Sequence, residues 1–266
     1  MRVLAITLTA VLLVLSVACA PNYGKPYRLA PVWTEARLIL LAQNMTGQDY
    51  TIKDDNPILV EEVGKIYRKM CQSIAWEPPN PNFVVTREAQ IRLLPDGRLE
   101  IGEAFLTPLH DEAMVAALIA HMIAHQAYGH LGSILEFKYP HELFALQADE
   151  DPAVWQDQSD KMTQVLAGGY PAEWENETTE GAITMMIDAG YDPAAVEEAW
   201  GILSHSAIKA VRDFAAMHKL NSVEARQFWE ARHYATTEPI GGWVREREVW
   251  QDALAGVKML LKPITP

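Results

Sequence analysis

Cysteine is nearly absent from this chain of 266 residues; Cys19 and Cys71 are the only two. Cys19 lies in a leader-like stretch, so Cys71 has no partner for an intramolecular bridge. A disulfide scaffold is excluded, and the fold must stand on its core. Cys71, in "RKMCQS", sits among apolar helix positions and reads as a small buried hydrophobe. Positive charge is also scarce, with 22 Lys and Arg against 35 Asp and Glu, for a net charge of −13. Such an acidic surface argues against nucleic acid and against an electrostatic hold on anionic lipid. Internal repeats and low-complexity tracts are missing as well. What remains is an ordinary globular composition, 49% hydrophobic and 21% charged, enough for one large domain or two small ones.

One long apolar run opens the chain, "MRVLAITLTAVLLVLSVACA". It is too short and wrongly flanked for a comfortable membrane span and reads as a secretory signal. A cut after Ala20 satisfies the small-x-small rule, but Pro21 would follow it and hinder cleavage. A cut before Cys19 avoids that. "LSVAC" resembles a bacterial lipobox, with Ser16 where an aliphatic residue is usual. The expectation is a signal peptide over 1–18 and a lipoprotein modified on Cys19. It would face the periplasm of a bacterial envelope, at the outer membrane rather than the inner because Ala20 is not the retaining aspartate. Plain secretion is the alternative. "PNYGKPYRLAP" then reads as a tether, and "TEARLILLAQNM" as a short helix, so 19–55 form an anchor region ahead of a domain over 56–266.

Within that domain the pattern is mostly helical, with one small sheet. Asn56-Pro57 starts a helix whose apolar positions are Leu59, Val63, Ile66, Tyr67 and Met70. β-rich runs at Phe83–Thr86, Ile91–Leu93 and Arg98–Ile101, with Asp96-Gly97 as a turn, predict a sheet ending in an edge strand at Arg98, Leu99, Glu100 and Ile101. Asp111 caps a helix from Glu112 to about His130 that is apolar nearly all round and therefore buried. A less definite helix is expected near His141–Gln147. Pro171 opens another helix, closed at Gly190 with Pro193 beyond. Helical stretches then run from Asp192 to Leu220, from Ser222 to Ala235, and from Val244 to Leu261.

The buried helix carries "LIAHMIAHQAYGH". His121 and His125 are four apart, so their imidazoles lie on one helical face within reach of a shared tetrahedral zinc. Zinc peptidases use this spacing as H-E-x-x-H, with glutamate as general base. Here that slot holds Met122. His130, nine residues past His121, is placed on the opposite face of a continuous helix. On spacing alone, two core histidines satisfied by hydrogen bonds are the stronger reading, because H-x-x-x-H without its glutamate is a weak motif.

Three ordered stretches add to this pair. "LLPDGRLEIGEAFLTPLHDEAMVAALIAHMIAHQAYGH", "WENETTEGAITMMIDAGYDPAAVEEAW" and "ARHYATTEPIGGW" together resemble the HtpX/BepA-like zinc metallopeptidases, a gluzincin group known as peptidase family forty-eight. The resemblance spans roughly residues 56 to 255. It implies an α+β, mostly helical gluzincin-like fold, with a small edge-stranded sheet packed on the buried H-x-x-x-H helix. Counting back from the Gly190 corner, it puts the third zinc ligand on Glu175 and places His233 near the metal. It also puts the edge that binds extended peptide at Arg98–Ile101.

Two positions depart from the family pattern. The general base falls on Met122, and the aspartate that orients a zinc histidine falls on Thr179. A thioether exchanges no proton, so general-base help worth about 10²–10⁴-fold is missing. Zinc on His121, His125 and Glu175 is a separate matter, since residue 122 is not a ligand. The expected function is an envelope lipoprotein with a pseudopeptidase domain that binds extended or unfolded envelope polypeptide and holds zinc. One alternative is a working zinc endopeptidase with His233 or water in place of the base. Another is a structural envelope domain without metal.

Overall fold

The computed structural model describes residues 38–42, 57–139, 152–235 and 243–260. The signal peptide, Cys19, the tether and the helix expected near His141–Gln147 lie outside the described residues. Residues 38–42 are helical. The elements that follow are α1 (Pro57–Ser73), β1 (Phe83–Thr86), β2 (Ile91–Leu93), β3 (Leu99–Gly102), α2 (Glu103–Leu106), α3 (Glu112–Ala127), α4 (His130–Lys138), α5 (Pro152–Gly168), α6 (Ala172–Asp188), α7 (Ala195–Ser204), α8 (Lys209–Met217), α9 (Ser222–Ala235) and α10 (Arg247–Leu260). The domain is α+β and mostly helical, with one three-stranded mixed sheet, and no described helix is long and apolar enough to cross a membrane.

Helix α3 is the axis of the fold. Every residue from Ala113 to His125 is buried, as its unbroken apolar composition requires. It packs most extensively on α6, then on α1 and α7, and it touches β2. Its start is fixed by Asp111, whose carboxylate accepts from the Met114 backbone N–H at 3.0 Å. Arg245 holds that carboxylate from outside, donating to it at 3.2 Å while gripping both oxygens of Glu198 on α7. The same arginine lies 3.4 Å from Asp192, so one side chain ties the start of α3 to the corner after α6. That corner is closed by Gly190 at φ +79°, where a Cβ would be strained, and Val244 donates to the Gly190 carbonyl at 2.9 Å.

The sheet departs from expectation. Its order is β1-β3-β2, with β1 parallel and β2 antiparallel to β3. The strand expected at the edge is therefore the central one, and Arg98, Leu99, Glu100 and Ile101 are all buried. Their alternation of charged and apolar residues resembles a half-exposed strand, but the charges pair with each other. Arg92 stands across the ladder from Glu100 and donates to its carboxylate, while Arg98 approaches the other oxygen at 3.8 Å. Arg98 also donates to the Ala42 carbonyl at 2.9 Å, which docks segment 38–42 beside the sheet. A peptide cannot add to β3, because both of its ladders are already filled.

Segment 38–42 completes a second apolar cluster. Leu38, Leu41 and Ala42 pack with Leu94, with Leu131 and Leu135 of α4, and with Met162 and Val165 of α5. Neither α4 nor α5 is expected from the sequence, whose helical pattern ends at about His130 and resumes only at Pro171 apart from the stretch near His141–Gln147.

Candidate metal centre

Two turns of α3 set His121 and His125 on one face, as the spacing requires. Glu175 comes from the first turn of α6, where the helix dipole favours a carboxylate. The fourth group, His218, caps the C-terminus of α8. Its position is locked when Trp200 of α7 donates its indole N–H to the His218 carbonyl at 2.6 Å. The four side chains can hold a metal ion, with one ligand atom from each and all four atoms within 4.8 Å of one another. They are 2–4% exposed.

The separations carry more information than the proximity. His121 Nε2, His125 Nε2 and His218 Nδ1 are mutually 3.1, 3.2 and 3.3 Å apart. Glu175 Oε2 lies 3.3 Å from His121 and 3.4 Å from His125, and its Oε1 lies 3.2 Å from His218. A tetrahedron with metal–ligand bonds of about 2.0–2.1 Å has edges of about 3.3 Å. The histidine–carboxylate contacts are at ion-pair distance, yet neither Glu175 oxygen accepts a hydrogen bond of acceptable geometry. Two fully buried carboxylate oxygens left in this way are costly in a satisfied core. Nitrogen lone pairs and oxygens that converge on a common centre are the arrangement a cation resolves.

Protonation agrees. Burial pushes the His121 imidazole down to about 4, against the opposing pull of Glu175. Burial likewise holds His125 well below its ordinary value. For Glu175, burial pushes the carboxyl up, but the three surrounding imidazoles outweigh it and hold it well below the usual carboxylate range. Neutral imidazoles at His121 and His125 beside an ionised Glu175 are in the protonation state that metal ligation requires.

Aromatic rings line the walls. Tyr170 stacks on His125 at 4.2 Å, Trp200 lies 4.7 Å from His121, and Phe214 lies 4.4 Å from His218. Burial pushes the Tyr170 hydroxyl far up, so it stays protonated. A metal held by all three imidazoles and the carboxylate would have four protein ligands inside this shell.

The structure thus brings together the expected His121, His125 and Glu175. Met122, in the slot of the general base, is buried in the main core. Thr179 is buried, but its hydroxyl donates to the Glu175 carbonyl at 2.9 Å instead of orienting a histidine. The hydroxyl that faces the imidazoles belongs to Thr178, 3.3 Å from His125 Nδ1. His130 is not on a far face. Helix α3 ends at Ala127, Gly129 turns the chain at φ +65°, and His130 begins α4 with its Nδ1 3.0 Å from His125 Nδ1. His233 lies in the last turn of α9, and its side chain is outside the described residues.

Two of these residues were legible but overlooked. On α8 the buried positions Val211, Phe214 and Ala215 continue at helical period to 218, so His218 extends an apolar stripe. Thr178 is three residues past Glu175 and shares its face. No protein-family model matches the chain, and no curated protein matches it.

Proposed function

We propose that this chain is a pseudopeptidase of gluzincin-like ancestry, anchored in a bacterial envelope through Cys19, whose zinc centre stabilises the domain and does not hydrolyse peptide. The observation that carries this reading is the closed, buried tetrahedron of His121, His125, Glu175 and His218 beside Met122. Zinc suits three imidazoles and a carboxylate at these separations, and four protein ligands mark a structural site. Hydrolysis needs a place for water on the metal and a base beside it, and this arrangement supplies neither. Its contribution is to the fold, because the centre joins α3, α6 and α8 at the middle of the core. Polypeptide binding, if it belongs to this protein, falls to surfaces other than the buried β3.

The test is elemental analysis of the chain purified without added metal, together with an assay on an unstructured protein substrate. The expected result is one zinc per chain and no turnover. Chelator-sensitive cleavage at ordinary peptidase rates overturns the non-hydrolytic reading, and a metal-free, fully folded chain overturns the metal centre.

A further inference from the structure

The geometry points to a chain of contacts, His125–His130–Glu177, that fixes the metal ligand His125 from behind, with His130 as its positioning residue. This inference rests on the metal centre proposed above and extends it outward. His125 presents Nε2 to the other ligand atoms, so Nδ1 carries its proton. The nearest group to that Nδ1 is Nδ1 of His130, at 3.0 Å. In the proposed arrangement His130 accepts there, which puts its own proton on Nε2. That nitrogen lies 3.5 Å from Glu177 Oε2, at ion-pair distance though outside hydrogen-bond geometry, on a carboxylate 34% exposed at the protein surface. Both tautomers are set in one direction, from the buried ligand to a surface charge.

The ring of His130 is held for this purpose. It stacks on Trp174 at 4.8 Å with an interplanar angle of 10° and lies 5.7 Å from the Tyr128 ring. Thr178 sits 3.3 Å from both Nδ1 atoms and bridges the pair from α6. Ligating histidines generally need a partner on the other ring nitrogen to fix orientation and raise basicity. A carboxylate usually provides it. Thr179 offers none, and here a neutral imidazole backed by Glu177 takes the role at one remove.

The experiment measures metal affinity and the visible d–d spectrum of the cobalt(II)-loaded chain in three variants. His130→Phe keeps a ring on Trp174 but removes the acceptor. It should lose affinity by about 10–100-fold and shift the cobalt band. His130→Asn carries an amide oxygen at the Nδ1 position and should recover most of that loss. Glu177→Gln, at the surface, should fold normally, lose less than about tenfold and move the band in the same direction. Parent-like affinity and spectrum in His130→Phe overturn the inference, as does His130→Asn binding no better than His130→Phe. Should His130→Phe not fold, Glu177→Gln decides, and an unchanged affinity and band there overturn the chain of contacts. A parent that binds no cobalt overturns the metal centre itself, whereas a loaded parent with insensitive variants overturns only the positioning role.

Discussion

At the scale of single residues, two side chains set the chemistry of the proposed site. Met122 offers no base beside the ligand His121, and His218 supplies a fourth potential ligand atom. Restoring one without releasing the other should not restore chemistry. Met122→Glu alone is expected to stay at background on unstructured protein. Met122→Glu combined with His218→Ala is also expected to stay at background, because the site is buried and β3 offers peptide no open edge. Discontinuous assay of all three chains, each checked for zinc content, decides the matter. Cleavage by the single variant contradicts the closed site, and cleavage by the double variant contradicts a buried site without a substrate edge. Cys71 gives an independent check on the core. Burial pushes its thiol up to about 11. At pH 8 the thiolate fraction is small and the sulfur is enclosed, so alkylation in the native chain should be at least about tenfold slower than in denaturant. Equal rates show an exposed cysteine and a core packed differently from this one. His121 and His125 were readable because their spacing follows helical period, and Glu175 only because the resemblance, counted back from the Gly190 corner, implies it. His218 also lies at helical period, but a single histidine at the end of an apolar stripe is ordinary in any core and does not by itself mark a ligand.

At the scale of elements, the helices were legible wherever period and punctuation agree. α1 begins at Pro57, α3 follows its Asp111 cap, and α6 runs from the residue after Pro171 to the Gly190 corner. Misreadings arise where one of the two signals is silent. The stretch from Asp192 to Leu220 keeps its helical period through Ser204–Ile208, yet it breaks there into α7 and α8, and the Ser206 hydroxyl accepts from the Ile208 N–H at 3.2 Å. α3 stops at Ala127, three residues short of expectation, because Gly129 takes a left-handed conformation. That break swings His130 toward the metal site. β3 was misplaced because a sequence shows alternation but not which neighbour pairs with it, and the Arg92–Glu100–Arg98 network gives a buried strand the pattern of an exposed one. The cap of α3 is a prediction at this level. Asp111→Ala removes the acceptor for Met114 and strands part of Arg245, and should lower stability by about 1–2 kcal/mol. Asp111→Asn keeps the cap oxygen and should lose less. Urea unfolding midpoints measure both, and an Asp111→Ala chain as stable as the parent removes the cap from the account.

At the scale of the whole molecule, the metal centre and the core depend on each other through protons. His121 ionises near 6.5 in an unfolded chain and only near 4 in the fold. Between those values the unfolded state binds more protons, so stability falls as the solution is acidified. The contribution is intact above about 6.5, declines through the window, and is fully lost below about 4. His125 is depressed in the same sense, and so is Glu175, whose stabilising contribution is fully present above its ordinary value and is lost as the pH falls below it. All three shifts therefore act in one direction, and no compensating rise is expected in that interval. Metal ligation uses the same deprotonated forms, so a bound ion adds its binding free energy to folding, and protons compete with it. The metal-free chain should then show a steep loss of thermal midpoint between about pH 6.5 and 4. The zinc-loaded chain should lie higher throughout and begin its decline at lower pH, with a midpoint that rises with free zinc. Scanning both forms across that interval tests the coupling. A metal-free chain equally stable at both ends would show that these histidines are solvated in the fold, and a zinc-independent midpoint would show that the ion does not hold α3, α6 and α8 together.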